Sequence, residues 1–319
     1  MKKLFLLLAF TFELYAPYPS SERYDTPVPL LVPTPSGYLL RAPSGAELRR
    51  LRIPTVPEVI GPTSLSITEL EQSCNLNDSI GCAKLGYLYH TGEGVKQDYA
   101  KAKAYYTKAC NMSIYSNVAC NNLGELYEYG DGVKQDYTKA KKYYGKACDD
   151  GYHIGCTNLG ILYIEGKGVK KDSSEAKNYF NRGCYLSDSA GCINLSLLSP
   201  KNSSEAEKYA RMGCELNSGP ACWQLGDIYR TKKNYLKAKR YFSIACELND
   251  GTGCRKLGDL YTKGIGGLVQ DYSEAKKYYM KACKLNDSVG CEQYKELEDM
   301  DIFGITISPD TDKETETSK

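Results

Sequence analysis

Fourteen cysteines are the residues of this chain whose type and spacing point most directly to chemistry. Thiols that lie close together either oxidise to disulfides or bind a metal such as zinc. The pattern excludes a zinc site, because the sequence has no Cys-x-x-Cys motif and only two histidines, His90 and His153. Disulfides remain, and this number of them is typical of an exported protein that matures in an oxidising compartment.

The cysteines form consecutive pairs whose spacing predicts the connectivity. Eight residues separate the partners in six pairs and ten in the other, whereas the distances between pairs are 28, 28, 28, 22, 24 and 29 residues. Closing the short loops stabilises by about 2–3 kcal/mol in the chain-entropy model and closing the long ones slightly more, so energy does not choose between them. The constant spacing does, and it predicts the bridges Cys74–Cys82, Cys110–Cys120, Cys148–Cys156, Cys184–Cys192, Cys214–Cys222, Cys246–Cys254 and Cys283–Cys291.

A second chemistry is acyl transfer, in which a serine attacks a carbonyl and a lysine one helical turn away supports it. The spacing Ser-x-x-Lys occurs at Ser174–Lys177 and at Ser273–Lys276. Neither match is accompanied by a Lys-Thr-Gly or Ser-Asp-Asn element. Both lie at the predicted start of a helix, where serine and glutamate commonly act as caps. We therefore interpret these residues as part of the helix start and retain them only as weak catalytic candidates.

The composition narrows the class of protein further. The chain is 42% hydrophobic and 25% charged with a net charge of +2, so it has no basic excess of the kind that binds nucleic acid. A Ser-His-Asp triad would have to use His90 or His153, and we expect both histidines to be exposed to solvent. The Gly-x-Gly segments do not follow a strand, as a nucleotide-binding loop does. We expect no metal and no cofactor.

The N-terminal part of the chain differs from the rest. Lys2 and Lys3 precede the apolar run 4–12, which is too short to span a bilayer and predicts a signal peptide over residues 1–16; retention of this run as an anchor is the alternative. Residues 17–63 hold ten of the thirteen prolines and predict an extended tether with polyproline character. Within it, Ser44 and Glu47 have the spacing of a capping box. Residues 302–319 are predicted to be a flexible tail.

Residues 64–301 contain about six related units, each of which reads as two helices. In the first helix, Cys82, Leu85, Gly86 and Tyr89 have the i, i+3, i+4, i+7 spacing of a buried face. The glycine of this face is predicted to let the two helices approach closely, and Ser196 replaces it in the fourth unit. A Gly-x-Gly segment is predicted to end the first helix in a left-handed conformation, and an aspartate or serine to cap the second. The glycines predicted to let the two helices approach are Gly86, Gly124, Gly160, Gly226 and Gly258.

The units resemble the Sel-like repeat family, which is related to the tetratricopeptide repeats. The resemblance is carried by Asn122-Leu123-Gly124-x-Leu126-Tyr127, by the turn Gly130-x-Gly132-Val133 and by Lys139-Ala140-x-x-Tyr143-Tyr144-x-Lys146-Ala147. The eight-residue cysteine spacing is similar to that of the bacterial cysteine-rich Hcp proteins, a β-lactamase-like group. The resemblance implies an all-α fold, a right-handed α-solenoid with a disulfide at each repeat junction, and export to the periplasm or the medium.

The resemblance also implies two rival functions. One is a scaffold that binds a protein, a peptide or a cell-wall fragment; the other is penicillin binding with weak β-lactamase activity. For the scaffold, the residues of interest precede the Leu-Gly motif, where related repeats place an asparagine on the concave surface to bond an extended peptide. In this chain they are Asn122, Asn158, Asn194 and Gln224. An asparagine here that only bonds the neighbouring helix is an equally open interpretation.

We predict a monomeric, exported scaffold that binds an extended peptide, a protein tail or a peptidoglycan fragment on its concave face. Glu125, Asp227 and Asp259 would add negative charge to that face. A tyrosine at the end of the first helix in five of the six units is interpreted as a core residue: Tyr89, Tyr127, Tyr163, Tyr229 and Tyr261. A weak β-lactam hydrolase is the alternative, and a secreted ligand for a host receptor is a third possibility.

Overall fold

The computed structural model describes residues 30–34, 37–41, 65–112, 117–265 and 267–302. Two strands come first, β1 (Leu30–Thr34) and β2 (Gly37–Arg41), paired antiparallel. Fourteen helices follow in the described residues: α1 (Ile67–Asn75), α2 (Ser79–Thr91), α3 (Tyr99–Cys110), α4 (Asn117–Tyr129), α5 (Tyr137–Asp149), α6 (His153–Glu165), α7 (Ser173–Tyr185), α8 (Ser189–Leu198), α9 (Ser204–Glu215), α10 (Gly219–Thr231), α11 (Tyr235–Glu247), α12 (Gly251–Lys263), α13 (Tyr272–Lys284) and α14 (Ser288–Ile302).

The helices form six consecutive pairs, α2/α3 to α12/α13, between the half-repeats α1 and α14. Short loops join the two helices of a pair, so the pair folds back on itself. Each first helix, the even-numbered one, also contacts the first helix of the next pair. The first helices therefore make the inner layer of the array and the second helices the outer layer. This arrangement confirms the predicted α-solenoid.

The ends of the helices follow the predicted signals in most units. Gly92 and Gly166 end α2 and α6 in the left-handed conformation, with φ of 79° and 73°. The second helix is then capped by an aspartate, as at Asp98, whose carboxylate accepts a hydrogen bond from the Lys101 amide at 3.0 Å. Where the loop is shortened, Ser203 caps α9 and Asn234 caps α11. The prediction of aspartate or serine caps is thus confirmed except at Asn234.

A close contact between a glycine and a ring holds the two helices together in five of the six pairs. A Cβ on Gly124 would lie 2.7 Å from the ring of Tyr144, and one on Gly160 would lie 2.7 Å from Phe180. Both rings are fully buried. Real Cβ atoms do not approach a ring so closely, so glycine is required at these positions. The same contact joins Gly86 to Tyr106, Gly226 to Phe242 and Gly258 to Tyr279.

The fourth pair shows why a serine is tolerated at one of these sites. The outer-layer ring is missing there, because Ala210 stands where the other units have tyrosine or phenylalanine. Ser196 occupies the released space and its hydroxyl donates a hydrogen bond to the Ala206 carbonyl at 2.8 Å. The Ser196 hydroxyl thus bonds the two helices of this pair at the place where the other pairs have a glycine–ring contact.

The inner-layer tyrosines form a second recurrent contact. Tyr89 stacks on Tyr105 with ring centroids 5.7 Å apart, and Tyr229 stacks on Tyr241 at 5.5 Å. Tyr89, Tyr127 and Tyr229 are buried, whereas Tyr163 and Tyr261 are half-buried. The structure thus confirms their interpretation as core residues. The remaining stacked pairs are Tyr127–Tyr143, Tyr163–Tyr179 and Tyr261–Tyr278.

The β-hairpin differs from the extended tether predicted for residues 17–63. Its register places Leu31 opposite Leu40 and Val32 opposite Leu39. Backbone pairing of this kind is favoured over polyproline geometry because Pro35-Ser36-Gly37 is a turn signal between two runs of β-branched and other apolar residues. The predicted signal peptide, the capping box at Ser44 and Glu47 and residues 303–319 of the predicted tail lie outside the described residues.

The ring contact predicts opposite effects for two glycine-to-alanine substitutions on neighbouring helices. Gly160→Ala forces a methyl group into the ring of Phe180 and should lower the free energy of unfolding by about 1–3 kcal/mol. Gly145→Ala should raise it by up to about 1 kcal/mol, because its Cβ would meet only Leu159, at 3.9 Å, and alanine is the better helix former. Urea unfolding of the oxidised proteins measures both, and equal effects at the two sites would contradict the prediction.

Candidate functional site

The surface that faces away from the outer layer is the candidate binding surface. Successive residues of a helix are turned by about 100°, so the residue two places after each inner-layer cysteine lies opposite the face that packs on the second helix. We call these residues the inner row: Lys84, Asn122, Asn158, Asn194, Gln224 and Lys256. Amide side chains, which both donate and accept hydrogen bonds, occupy its four central positions.

The amides of the inner row are buried, which the sequence did not predict. Asn122 and Asn194 are 1% and 0% exposed, and Asn158 and Gln224 are each 8% exposed. Several of their polar atoms have no hydrogen-bond partner among the described residues, namely Asn122 Nδ2, both amide atoms of Asn194 and Gln224 Oε1. An unpaired buried polar atom costs about 1–3 kcal/mol. Such atoms indicate a surface that is ready to accept hydrogen bonds from another group.

Asn158 behaves differently from its neighbours in the row. Its Nδ2 donates a hydrogen bond to Oδ1 of Asn121 at 3.0 Å, which links α6 to α4. Asn121 in turn donates to Oε1 of Glu125 at 3.1 Å. For Asn158, the structure therefore favours the interpretation that the side chain bonds a neighbouring helix. For Asn122, Asn194 and Gln224, a role in binding stays a prediction.

Local partners balance the negative charges predicted for the inner layer. Asp227 pairs with Arg230 at 2.8 Å. Asp259 accepts a hydrogen bond from Tyr279 at 3.0 Å. A cleft of about 340 Å³ opens beside Asp259 and is lined by Arg230, Tyr235, Lys256, Asp259, Leu260, Lys263 and Ile265. Three cationic side chains and one carboxylate line this cleft, so the cleft itself is not acidic.

The structure does not bring the two Ser-x-x-Lys candidates into a catalytic arrangement. Ser174 and Ser273 are exposed in the first turn of α7 and α13. The prediction that these serines cap the helices was wrong, because Asp172 and Asp271 are the capping residues. The described residues show no hydrogen bond between Ser174 and Lys177. The ammonium group of Lys276 lies 5.7 Å from the ring of Tyr294 on α14.

Both histidines differ from the expectation that they are exposed to solvent. His90 is only 2% exposed. Its Nδ1 lies 3.4 Å from the Tyr106 hydroxyl, and its Nε2 lies 3.6 Å from a carboxylate oxygen of Asp131 in the next unit. The expectation was wrong because the loop of the next unit covers the end of α2. His153 is half-buried at the first position of α6 instead of in a junction loop.

A charged cluster joins the fourth and fifth units, whose loops are shortened. Glu207 accepts hydrogen bonds from Lys232 at 2.7 Å, from Tyr229 at 2.6 Å and from Arg211 at 2.7 Å. These donors, the Lys232 ammonium first among them, lower the pKa of Glu207 to about 2. The cluster links α9 to the end of α10, the position at which other units have a Gly-x-Gly loop after their first helix. Its composition points to a structural role.

The structure contains the seven predicted disulfides at the repeat junctions, with Cα atoms 4.4–4.7 Å apart. Beside them lies a contact that the sequence analysis missed. Lys108 donates to the Cys74 carbonyl at 2.7 Å, and Lys281 donates to that of Cys246 at 2.8 Å. Each cation thereby adds a hydrogen bond to a carbonyl at the end of the preceding outer helix, where positive charge is favoured. Lys146 and Arg182 do the same in their units.

Two further properties concern only the part of the chain that the structure describes. None of its helices combines the length and the apolar character needed to cross a membrane. No three histidine, cysteine, aspartate or glutamate side chains gather there in a group that could hold a metal ion. The seven disulfides fit maturation in an oxidising, extracytoplasmic environment.

Stacked helix pairs, a ring contact in the core and an inner row of amides define a repeat scaffold of the class that mediates protein interactions. The family model of the Sel1 repeat matches residues 79–113, 117–152, 153–188, 194–218 and 252–287, which is more than half of the chain, and the chain therefore belongs to the Sel1 repeat family. A tetratricopeptide repeat model matches residues 219–251, the fifth unit with its shortened loop.

Solved structures show the same fold. A protective antigen of uropathogenic Escherichia coli strains with an SLR fold is 23% identical, with a TM-score of 0.66. The match covers 77% of this chain, which spans about half (54%) of that protein. A Sel1 repeat protein from Oxalobacter formigenes is 27% identical, with a TM-score of 0.59 and coverage of 69% and 99%.

Helicobacter pylori cysteine-rich protein B is 30% identical over 40% of this chain and 96% of its own, with a TM-score of 0.33. No protein of curated function matches the chain significantly.

The Glu207 cluster predicts a pH-dependent stability. A carboxylate with a lowered pKa stabilises the fold above its ordinary pKa of about 4.5, and this contribution is lost as the pH falls towards 2. Glu207→Gln should therefore lower the free energy of unfolding by about 1–2 kcal/mol at pH 7, with a difference that disappears near pH 2. Urea unfolding between pH 2 and 7 tests this, with the exposed Glu205→Gln as control. A difference that is independent of pH would contradict it.

The placement of the serines predicts the outcome with β-lactams. Because Ser174 and Ser273 lie exposed in the first turn of their helices, we expect no hydrolysis of a chromogenic cephalosporin above the buffer rate and no increase in the intact mass of the protein. Turnover or a mass increase of one drug per chain, lost in Ser174→Ala or Ser273→Ala, would contradict this expectation and identify the nucleophile.

Proposed function

We propose that this chain is an exported scaffold that binds an extended peptide or protein tail along its inner layer. The observation that carries the proposal is the run of buried amide atoms without partners at Asn122, Asn194 and Gln224. An extended backbone presents alternating N–H and C=O groups, and these are the partners that primary amides can satisfy. Export to the periplasm or the medium is supported by the seven disulfides and by the apolar run near the N-terminus.

The inner layer suits an elongated partner in shape as well as in chemistry. Its amides recur once in each of the four central units, on helices that contact one another in sequence. Neighbouring packed helices are about 8–10 Å apart, so three units offer amides over about 16–20 Å, a distance that about five or six extended residues span. A compact ligand would reach only one or two of them, which is why we favour a peptide over a small molecule.

The proposal is tested with variants that remove an amide without changing its shape. A phage-displayed library of random 12-residue peptides is selected against the full oxidised chain, and recovered peptides are titrated against Asn194→Leu. This variant should bind at least tenfold more weakly while its free energy of unfolding stays equal or rises, because the amide it replaces has no partner.

Asn178→Leu is the matched control, since Asn178 is exposed on the outer helix α7. It should leave peptide binding unchanged. Peptides that bind Asn194→Leu as tightly as the unsubstituted chain would show that they bind elsewhere and would overturn the proposal. Loss of binding together with loss of stability in Asn194→Leu would also overturn it, because the amide would then be structural.

A further inference from the structure

The middle of the inner layer is covered, whereas its ends are open. Helix α4 is buried around its whole circumference, from Val118 to Glu128. On α6 and α8, the inner-row residues Asn158 and Asn194 are buried as well, but on α2 and α12 the equivalent Lys84 and Lys256 are half-exposed. A helix of the inner layer has the second helix on one side and two neighbours beside it. Burial of its fourth side requires something that lies in the groove.

The β-hairpin lies beside one helix of this covered part, α8. The backbone of β2 comes within 8 Å of α8, measured between Cα atoms. Since α8 carries Asn194, whose amide atoms are buried and without partners, the hairpin approaches the helix on which binding of an extended backbone is proposed.

The length of the chain allows this placement. Residues 42–64 connect the hairpin to α1, and 23 residues span up to about 75–80 Å when extended. Three repeats separate α2 from α8, which at about 8–10 Å for each pair of neighbouring inner helices amounts to roughly 30 Å. The connection is therefore long enough for the hairpin to reach the middle of the groove within its own chain.

We infer that the β1–β2 hairpin occupies the inner groove in cis, over α8, and that a partner must displace it to bind there. The hairpin thus acts as an internal competitor that lowers the apparent affinity of the groove for extended ligands. The competition rests on the proposed function, because it presupposes that the groove binds a partner. The position of the hairpin does not, and it can be tested separately.

Photocrosslinking tests the position of the hairpin in the full oxidised chain. Benzoylphenylalanine is placed at Leu39 and, in a second protein, at Leu40, because adjacent residues of a strand face opposite sides. One of the two should crosslink mainly to the tryptic peptide 183–201, which contains α8. Leu31→Pro, which disrupts the pairing opposite Leu40, should abolish that crosslink. Crosslinks spread over many peptides, or equally strong after Leu31→Pro, would overturn the inference.

Isotope labelling separates contacts within a chain from those between chains. When heavy and light protein are mixed before irradiation, crosslinks in cis join only segments of the same mass label. Mixed heavy–light products in place of these would mean that the hairpin binds a second copy, and would overturn the inference as stated.

Competition is measured with a fluorescent peptide of residues 28–43. It should bind the Leu31→Pro chain at least tenfold more tightly than the unsubstituted chain, in which the groove is already occupied. Equal affinities would overturn the competition. If the crosslink to α8 is found but peptide selection fails on both the unsubstituted and the Leu31→Pro chain, the proposed function is wrong while the position of the hairpin stands. If peptides are selected but the crosslink to α8 is not found, the position of the hairpin is wrong while the proposed function stands.

Discussion

The array depends on the contact between a glycine of each inner helix and a ring of the outer helix beside it. The contact fixes the distance between the two helices, because a Cβ on Gly160 would clash with the ring of Phe180. Nearly the same distance recurs in five units, so successive pairs present equivalent surfaces to one another. In the fourth unit Ser196 and Ala210 change together, which preserves the packing. The regularity of the solenoid is therefore a consequence of one repeated steric fit.

The junctions add a constraint that is independent of this fit. Each disulfide joins the end of an outer helix to the start of the next inner helix, and in four units a cation from the following outer helix bonds the carbonyl of its first cysteine. Because these contacts lie at the junction, the loops inside the units are free to vary. The fourth and fifth units have lost the Gly-x-Gly loop, have Met212 and Ile244 in place of the cation, and use the Glu207 cluster instead.

The sequence predicted what is repeated and failed on what comes from a neighbouring unit. The period, the glycine contact and the cysteine pairs are readable because each depends on residues close together in the chain. His90 looked exposed because Asp131, which closes over it, belongs to the next loop. The lysines and the arginine that bond the junction carbonyls stand two residues before the second cysteine of their unit. This pattern is visible in the sequence, but its role can be recognised only from the geometry of the junction. Burial of Asn122 and Asn194 depends on what lies across the groove, and no periodicity reports that.

Tethering decides how strongly the hairpin competes for the groove. A covalent connection of 23 residues holds the hairpin at an effective concentration on the order of 1 mM near the groove. A hairpin whose own affinity for the groove is weaker than this leaves the groove mostly open, and one that binds more tightly closes it. The fraction of the groove that a partner occupies then depends on its affinity relative to that of the hairpin. The unpartnered amides of Asn194 fit a moderate affinity, since a hairpin that satisfied them fully would be difficult to displace. Incomplete hydrogen bonding in cis thus leaves free energy for a partner that completes it.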